Sequence, residues 1–285
     1  MNTLDKMQGR TFVRPSFKNM KILMFGDTIG KIGRETVKKI LPDLRAEFQP
    51  DFVIMNAENL AHGFGITKKI ILEMIEAGVD AFTSGNHVLA NPSCDEVFAD
   101  PELKKLVLRP YNIPHQSGAG YSVVEKNGKK ILLASLSGNV FMEDKAASNF
   151  IVAADEILEK TRGEKIAAKL FDFHAEATSE KAVLGLYLDG RISAFVGTHT
   201  HVPTADERLL PKGTAFVSDI GMVGAHNQAI GGAYEPILVG MRVGELGKFE
   251  VPESGPVEVN AILIEIDEET GLAKGIKRVR KTLTL

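Results

Sequence analysis

The sequence is poor in the features that assign a chain to a class most quickly. It has one cysteine, Cys94, which excludes an intrachain disulfide framework and a cysteine-based zinc site. A reducing compartment fits that usage. It has no basic excess, because 34 Lys and Arg stand against 37 Asp and Glu for a formal charge of −3. Bulk binding to a nucleic-acid backbone shows as such an excess, so none is expected. A small anionic substrate stays open, since it needs only local positive charge, which a metal can supply. No apolar run approaches the roughly 18 residues of a membrane span, so no membrane association is expected. Lys6, Arg10, Arg14 and Lys18 precede no apolar region, so the start of the chain does not read as a secretory signal. It reads instead as an N-terminal extension, residues 1–19, and the cytoplasm is the expected location.

What is present is ordinary globular composition, 44% hydrophobic and 25% charged, which excludes disorder. Residues 20–285 carry no repeat, linker or composition break, and read as a single α/β domain with a mixed sheet. Lys21–Phe25, Phe52–Met55 and Val79–Thr83 are strand candidates. Helical patterns separate them, over about Gly33–Phe48, with Pro42 expected to kink or divide it, and over Thr67–Ala77, capped by Thr67 and stopped by Gly78. That spacing predicts parallel βαβ units. Tyr121–Glu125 and Lys130–Ser135 flank Asn127-Gly128, a hairpin signal. Further on, helices are expected over Ile151–Arg162 and Ser179–Leu188, and strands over Leu170–Phe173, Ile192–Val196 and Ala215–Ser218. Ala261–Ile266 and Ile276–Val279 suggest a terminal hairpin, while the Gly- and Pro-rich stretch 224–256 resists assignment.

Five of these runs end in polar side chains able to bind metal: Asp27, Glu58 with Asn59, Asn86 with His87, His174, and His199 with His201. In open α/β sheets ligands collect outside the carboxyl ends of the strands. Were the strands neighbours, these side chains would converge on one edge. Carboxylate, amide and imidazole donors together suit Mn, Fe or Zn, and they exceed the four that a structural zinc takes. A two-ion site accounts for the surplus. Singly, each piece has a plainer explanation: Asp27 as a helix cap, Asn86 as a turn residue, a lone histidine as a hydrogen-bonded structural residue. His199-Thr200-His201 is stronger, since alternation on an extended segment would put both rings on one side. Gly26, Gly30 and Gly33 match neither G-x-G-x-x-G nor a P-loop, and Ser135, Ser137 and Ser218 lie in no G-x-S-x-G elbow. Cys94 has no arrangement suggesting a nucleophile, and His62, His115 and His226 read as loop or surface residues.

The chain resembles the calcineurin-like metallophosphoesterases, and closely their bacterial YmdB-type branch. The resemblance rests on Phe25-Gly26-Asp27-Thr28-Ile29-Gly30, Asn56-Ala57-Glu58-Asn59, Gly85-Asn86-His87, Asp172-Phe173-His174-Ala175-Glu176-Ala177-Thr178-Ser179-Glu180-Lys181 and Gly197-Thr198-His199-Thr200-His201. It implies a two-sheet sandwich flanked by helices with a dinuclear centre at the strand ends. Asp27, Glu58, Asn59 and His201 would hold one ion. Glu58 would bridge to a second, completed by Asn86, His174 and His199, and His87 would be the general acid. Asn59 would fill the position left where the wider superfamily has Asp-x-His and this chain has Asp27-Thr28-Ile29. The implied cofactors are two divalent transition-metal ions per chain, Fe or Mn, with Zn as an option. The implied reaction is hydrolysis of phosphodiesters, including 2′,3′-cyclic nucleotides to 3′-nucleotides; because a phosphodiester anion repels hydroxide, two cations are expected to neutralise it and to generate a bridging hydroxide as the nucleophile. A homo-oligomer is implied too. Val88-Leu89-Ala90 replaces the family's Thr-Trp-Asp, and the Gly221–Gln228 loop also departs; both bear on substrate choice. A phosphomonoesterase and a regulatory metal- and nucleotide-binding protein stay open as alternatives.

Overall fold

The computed structural model describes residues 19–142, 148–245 and 247–285, so the expected extension lies outside it except for Asn19. In chain order the elements are β1 (Asn19–Thr28), α1 (Gly30–Phe48), β2 (Phe52–Asn56), α2 (Lys68–Glu76), β3 (Ala81–Thr83), α3 (Cys94–Ala99), β4 (Tyr121–Lys126), β5 (Lys129–Ser137) and α4 (Phe150–Lys160). There follow β6 (Ala168–His174), α5 (Thr178–Tyr187), β7 (Ala194–Thr198), β8 (Arg208–Leu209), β9 (Ala215–Val217), β10 (Met222–Ala225), α6 (Tyr234–Arg242), β11 (Pro256–Asp267) and β12 (Ala273–Thr284).

The strands form two six-stranded mixed sheets, ordered β12-β11-β10-β1-β2-β3 and β4-β5-β6-β7-β9-β8. This is the two-sheet sandwich implied by the family resemblance, and it corrects the reading of one mixed sheet. A strand buried on both faces reads as a continuous apolar run whichever sheet holds it, so periodicity could not separate the two. Alternation along β1 shows how the layers arise. Ile22 and Met24 point into a core shared with Ile131 and Leu133 of β5, Leu170 of β6 and Val196 of β7. Leu23 and Phe25 point the other way, onto Val37, Leu41 and Leu44 of α1 and Ile71 of α2. On the far side, Leu132, Phe171 and Phe195 pack against Ala154 and Ile157 of α4 and Leu184 of α5.

Local signals are met where their chemistry is local. Thr67 caps α2, its side chain accepting from the Ile70 amide at 3.3 Å. Asn127 and Gly128 both have positive φ, 52° and 76°, as a tight β4–β5 turn requires. Pro42 does not divide α1, which runs unbroken through it. A proline inside a helix costs about 3 kcal/mol, and the buried face of Ile32, Val37, Ile40, Leu41, Leu44 and Phe48 outweighs that. The terminal hairpin is far longer than expected, because β11 and β12 pair from Pro256↔Thr284 to Ile266↔Ala273. Among the described residues no helix is long and apolar enough to cross a membrane.

Candidate metal centre and active site

The polar residues at the strand ends come from both sheets and meet at one rim of the sandwich. From the first sheet, the parallel pairing of β1 with β2 slips in register between Phe25 and Asp27. Asp27 is fully buried there. Glu58 follows β2 in a turn closed by its amide on Asn56 Oδ1 at 3.1 Å, and β3 leads into a short 3₁₀ turn, Asn86–Leu89, holding Asn86 and His87. From the second sheet, β6 ends on His174, and the loop after β7 carries His199 and His201.

Distances define the cluster. His174 Nε2 lies 2.9 Å from Glu58 Oε2, and His199 Nδ1 lies 3.0 Å from the same ring nitrogen. Asp27 Oδ1 is 3.7 Å from His174 Nδ1 and 4.0 Å from His201 Nε2, and Asp27 Oδ2 accepts the His199 amide at 3.2 Å. Glu58 Oε1 stands 3.2 Å from His87 Nδ1. Among the described residues two groups have ligand atoms all within 4.8 Å of one another, Glu58-His174-His199 and Asp27-Glu58-His201. Glu58 belongs to both. The packing tolerates no side chain at Gly85, where a Cβ would fall 2.0 Å from Glu58 Oε2 and 2.1 Å from His174 Cδ2.

This donor set fits divalent metal. Asp27 Oδ1, Asn59 Oδ1 and Asn86 Oδ1 are buried oxygens with no hydrogen-bond partner, an arrangement that costs free energy unless a cation satisfies them. Asn59 Nδ2 meanwhile donates to the Gly63 carbonyl at 2.8 Å, which fixes the amide and leaves its oxygen available. Behind the ligands lies a polar seam joining the sheets. His174 Nδ1 meets Thr198 Oγ1 at 2.9 Å, Thr198 donates to Asp172 Oδ1 at 2.8 Å, and Asn56 Nδ2 donates to Asp172 Oδ2 at 3.0 Å. Thr83 also donates to Asp172. Such partners orient ligating histidines. His201 Nδ1 is likewise held by the Ile230 carbonyl at 2.9 Å, and His199 Nε2 lies 3.2 Å from Glu176 Oε2.

The electrostatics are those of buried carboxylates short of counter-charge. Burial raises the Asp27 carboxyl, with His201 and His174 pulling the other way. Burial would raise Glu58 as well, but His174 and His87 hold it well below the usual carboxylate range. Burial pulls the His174 imidazole down, yet Glu58, Asp27 and Asp172 outweigh it and raise the ring to about 9. Burial and the neighbouring His174 push His199 down to about 3. Burial lifts Asp172 to about 6 despite its hydroxyl donors. The neighbouring carboxylates thus favour the protonated form of His174, and metal binding displaces such protons.

His199 and His201 are brought together, but by a different route from the one expected. They do not alternate on an extended segment, because β7 stops at Thr198 and the two residues take φ of 104° and 63°. Left-handed backbone at non-glycine residues is strained and persists only where surroundings over-determine it. Here the surroundings include a buried ion pair, Lys181 Nζ to Asp219 Oδ2 at 2.7 Å, and that oxygen also accepts the Thr200 amide at 3.1 Å. Glu176, Thr198 and the Lys181–Asp219 pair have no role assigned from sequence, although Glu176, Lys181 and Thr198 stand in segments that carry the family resemblance. His115 and His226 lie apart, near Asp95 at 3.8 Å and Glu258 at 3.8 Å. His62 borders a neighbouring groove with Lys31 and Lys248.

A cleft of about 360 Å³ opens onto Glu58, Asn59, His87, His199 and His201. His87 keeps 25% of its side-chain exposure, whereas Glu58 keeps 1%. Two helix-flanked sheets with carboxylate, amide and imidazole donors at one rim define the calcineurin-like phosphoesterase class of fold. Within it, the chain belongs to the YmdB-like protein family, whose profile matches residues 23–279. It is 40% identical over 262 residues to the 2′,3′-cyclic-nucleotide 2′-phosphodiesterase of Bacillus subtilis (strain 168), covering 91% of this chain and 96% of that protein. A novel phosphatase from Mycoplasma pneumoniae superposes with a TM-score of 0.85 at 33% identity, covering 93% of this chain and 94% of that one. A hypothetical protein from Thermus thermophilus gives 0.83 at 35% identity, covering 92% of this chain and 99% of that one.

Proposed function

We propose that this chain is a metal-dependent phosphodiesterase that hydrolyses nucleoside 2′,3′-cyclic phosphates to 3′-nucleotides at a dinuclear centre. The observation that carries the reading is the membership of Glu58 in two ligand groups at once, which suits a bridging carboxylate. Asp27, Glu58, Asn59 and His201 would hold one divalent ion, and Asn86, His174 and His199 would complete the second with Glu58. Fe or Mn suits these donors, and Zn is also compatible. Two such ions supply positive charge to the phosphodiester and can lower the pKa of water from about 15.7 to about 7.

The protein's own side chains do the rest. His87, whose Nδ1 stands 3.2 Å from Glu58 Oε1, would be the general acid. As water adds to phosphorus and the bond to the 2′-oxygen breaks, His87 protonates that oxygen and the 3′-ester remains. Phe64, edge-on to His87 with ring centroids 5.0 Å apart, limits rotation of the imidazole. Thr198 and the Ile230 carbonyl keep His174 and His201 in one orientation each.

The test is the product. Metal-reconstituted protein given 2′,3′-cyclic AMP should yield 3′-AMP alone. Accumulation of 2′-AMP would reverse the leaving group, turnover of 3′-AMP with none of the cyclic diester would make the protein a phosphomonoesterase, and tight binding without turnover of either would make it a regulatory binder. We further infer that residues 20–285 act as one domain, since both sheets feed one cluster, and that the buried Cys94 suits the cytoplasm. Exposed Val239, Met241 and Val243 in and after α6 support a homo-oligomer, which sedimentation would test.

A further inference from the structure

We propose that Phe64 and Phe249 form a nucleobase platform beside the metal ligands, so that the preferred substrate is a nucleoside cyclic phosphate and not any small cyclic diester. This rests on the phosphodiesterase reading and narrows it. Phe64 follows Glu58-Asn59 by a few residues and is 41% exposed, in the same cleft as His87, Ile230 and Phe249. Its ring centroid lies 5.3 Å from that of Phe249 at 64°, the edge-to-face geometry aromatic pairs favour. Beyond the ligating groups, Phe64, Ile230 and Phe249 give the cleft an apolar wall, opposed by Glu176 and Thr200.

The platform is held rigidly relative to the ligands. Gly63 has φ +97°, and a Cβ there would come within 2.9 Å of Phe249 Cε1. A Cβ at Gly232 would fall 2.6 Å from Phe249 Cε2. The ring is thus clamped between two backbone segments that only glycine lets come so near. The carbonyl of Gly63 is the group that fixes the Asn59 amide at 2.8 Å, which ties the clamp to the ligand loop. Ile230, exposed at its side chain, has its carbonyl on His201 Nδ1 at 2.9 Å.

A phosphodiester seated at His87 and the ligand groups has no apolar surface to cover these rings, whereas a nucleoside carries one. Ligand sites combine apolar walls with a few convergent polar groups in this way, and bases stack on aromatic side chains with little regard to identity. A protein partner covering the same rings would close the approach to His87. The platform should therefore accept purines and pyrimidines alike, with purines favoured by their larger face.

The experiment compares 2′,3′-cyclic AMP with ethylene phosphate, a cyclic diester without sugar or base, on wild type, Phe249→Ala and Phe249→Tyr. Phe249→Ala should raise KM for the nucleotide about tenfold, within the range for losing one base–aromatic stack. Its kcat, and kcat/KM on ethylene phosphate, should change less than about twofold. Phe249→Tyr should behave as wild type. Equal losses on both substrates, or none on either, would overturn the platform while leaving the phosphodiesterase reading intact. Wild type inactive on both substrates would sink that reading. Calorimetric binding of 3′-AMP against ribose 3-phosphate then decides the platform: a preference for 3′-AMP lost in Phe249→Ala supports it, and equal binding overturns it. Phe64→Leu, read by the same nucleotide affinity, serves if Phe249→Ala does not fold.

Discussion

The two sheets bring different chemistry to the same rim. The first supplies oxygen donors, Asp27, Glu58, Asn59 and Asn86, from the ends of β1, β2 and β3 and the turns that follow them. The second supplies nitrogen, His174 from the end of β6 and His199 with His201 from the left-handed loop after β7. Each ligand group contains members from both sheets, so neither sheet alone makes a site. The cluster exists only because the shared apolar core seats one sheet on the other and the Asp172 seam, bonded to Asn56, Thr83 and Thr198, fixes their alignment. The sheets also differ in how firmly their loops are held. The oxygen side is closed by local turns, and the nitrogen side by a buried ion pair beneath a strained loop.

Removing the shared oxygen donor should break this partnership most completely. Glu58→Ala is expected to lose both ions and reduce turnover to background, whereas His201→Ala, which belongs to one group, should retain close to half the wild-type metal. Elemental analysis distinguishes the two, and a Glu58→Ala protein that keeps half its metal would show that the sharing is wrong. Next in size is His87→Asn, which touches Glu58 but belongs to neither group. Its kcat should fall about 10²–10⁴-fold with metal content unchanged, and unchanged turnover on a diester with a poor leaving group would remove His87 from the acid role.

The nitrogen side is sharpened by Lys181→Met. It strands the buried Asp219 carboxylate beneath the His199–His201 loop, and stranding a buried charge costs about 3–5 kcal/mol. Chemical denaturation should show that loss, with much of it recovered in Lys181→Met/Asp219→Leu. The smallest effect is expected from Thr198→Val, which removes the hydroxyl at His174 Nδ1 and should weaken metal binding about 10–100-fold while leaving the fold in place. Competition with a chelator of known affinity reads it directly.

Much of this was legible in the sequence. The strand–helix alternation, the Thr67 cap, the Asn127-Gly128 turn and the polar residues closing each strand are local patterns, and the structure has them where the pattern falls. The division into two sheets came through family likeness and not through periodicity, since Met24 and Phe25 are equally apolar yet face opposite cores. The conformation of His199-Thr200-His201 departs from expectation for a related reason. Its backbone is set by Lys181 and Asp219, which lie on either side of Thr200 and far from it along the chain. Thr198 and Asp172 are hard to read because a polar residue inside a buried run looks like a lapse in the pattern until its partners are known. The expected boundaries of β11 and β12 fall short because polar and charged residues such as Glu258, Asn260, Lys274 and Arg280 interrupt the apolar pattern while the backbone ladder continues.

The most direct test of the central claim is metal stoichiometry in reconstituted protein, with turnover of 2′,3′-cyclic AMP measured on the same sample. The account predicts close to two transition-metal ions per chain, with activity lost on chelation and restored by Mn or Fe. Protein that takes up no metal, or that turns over the substrate equally well after chelation, would contradict it.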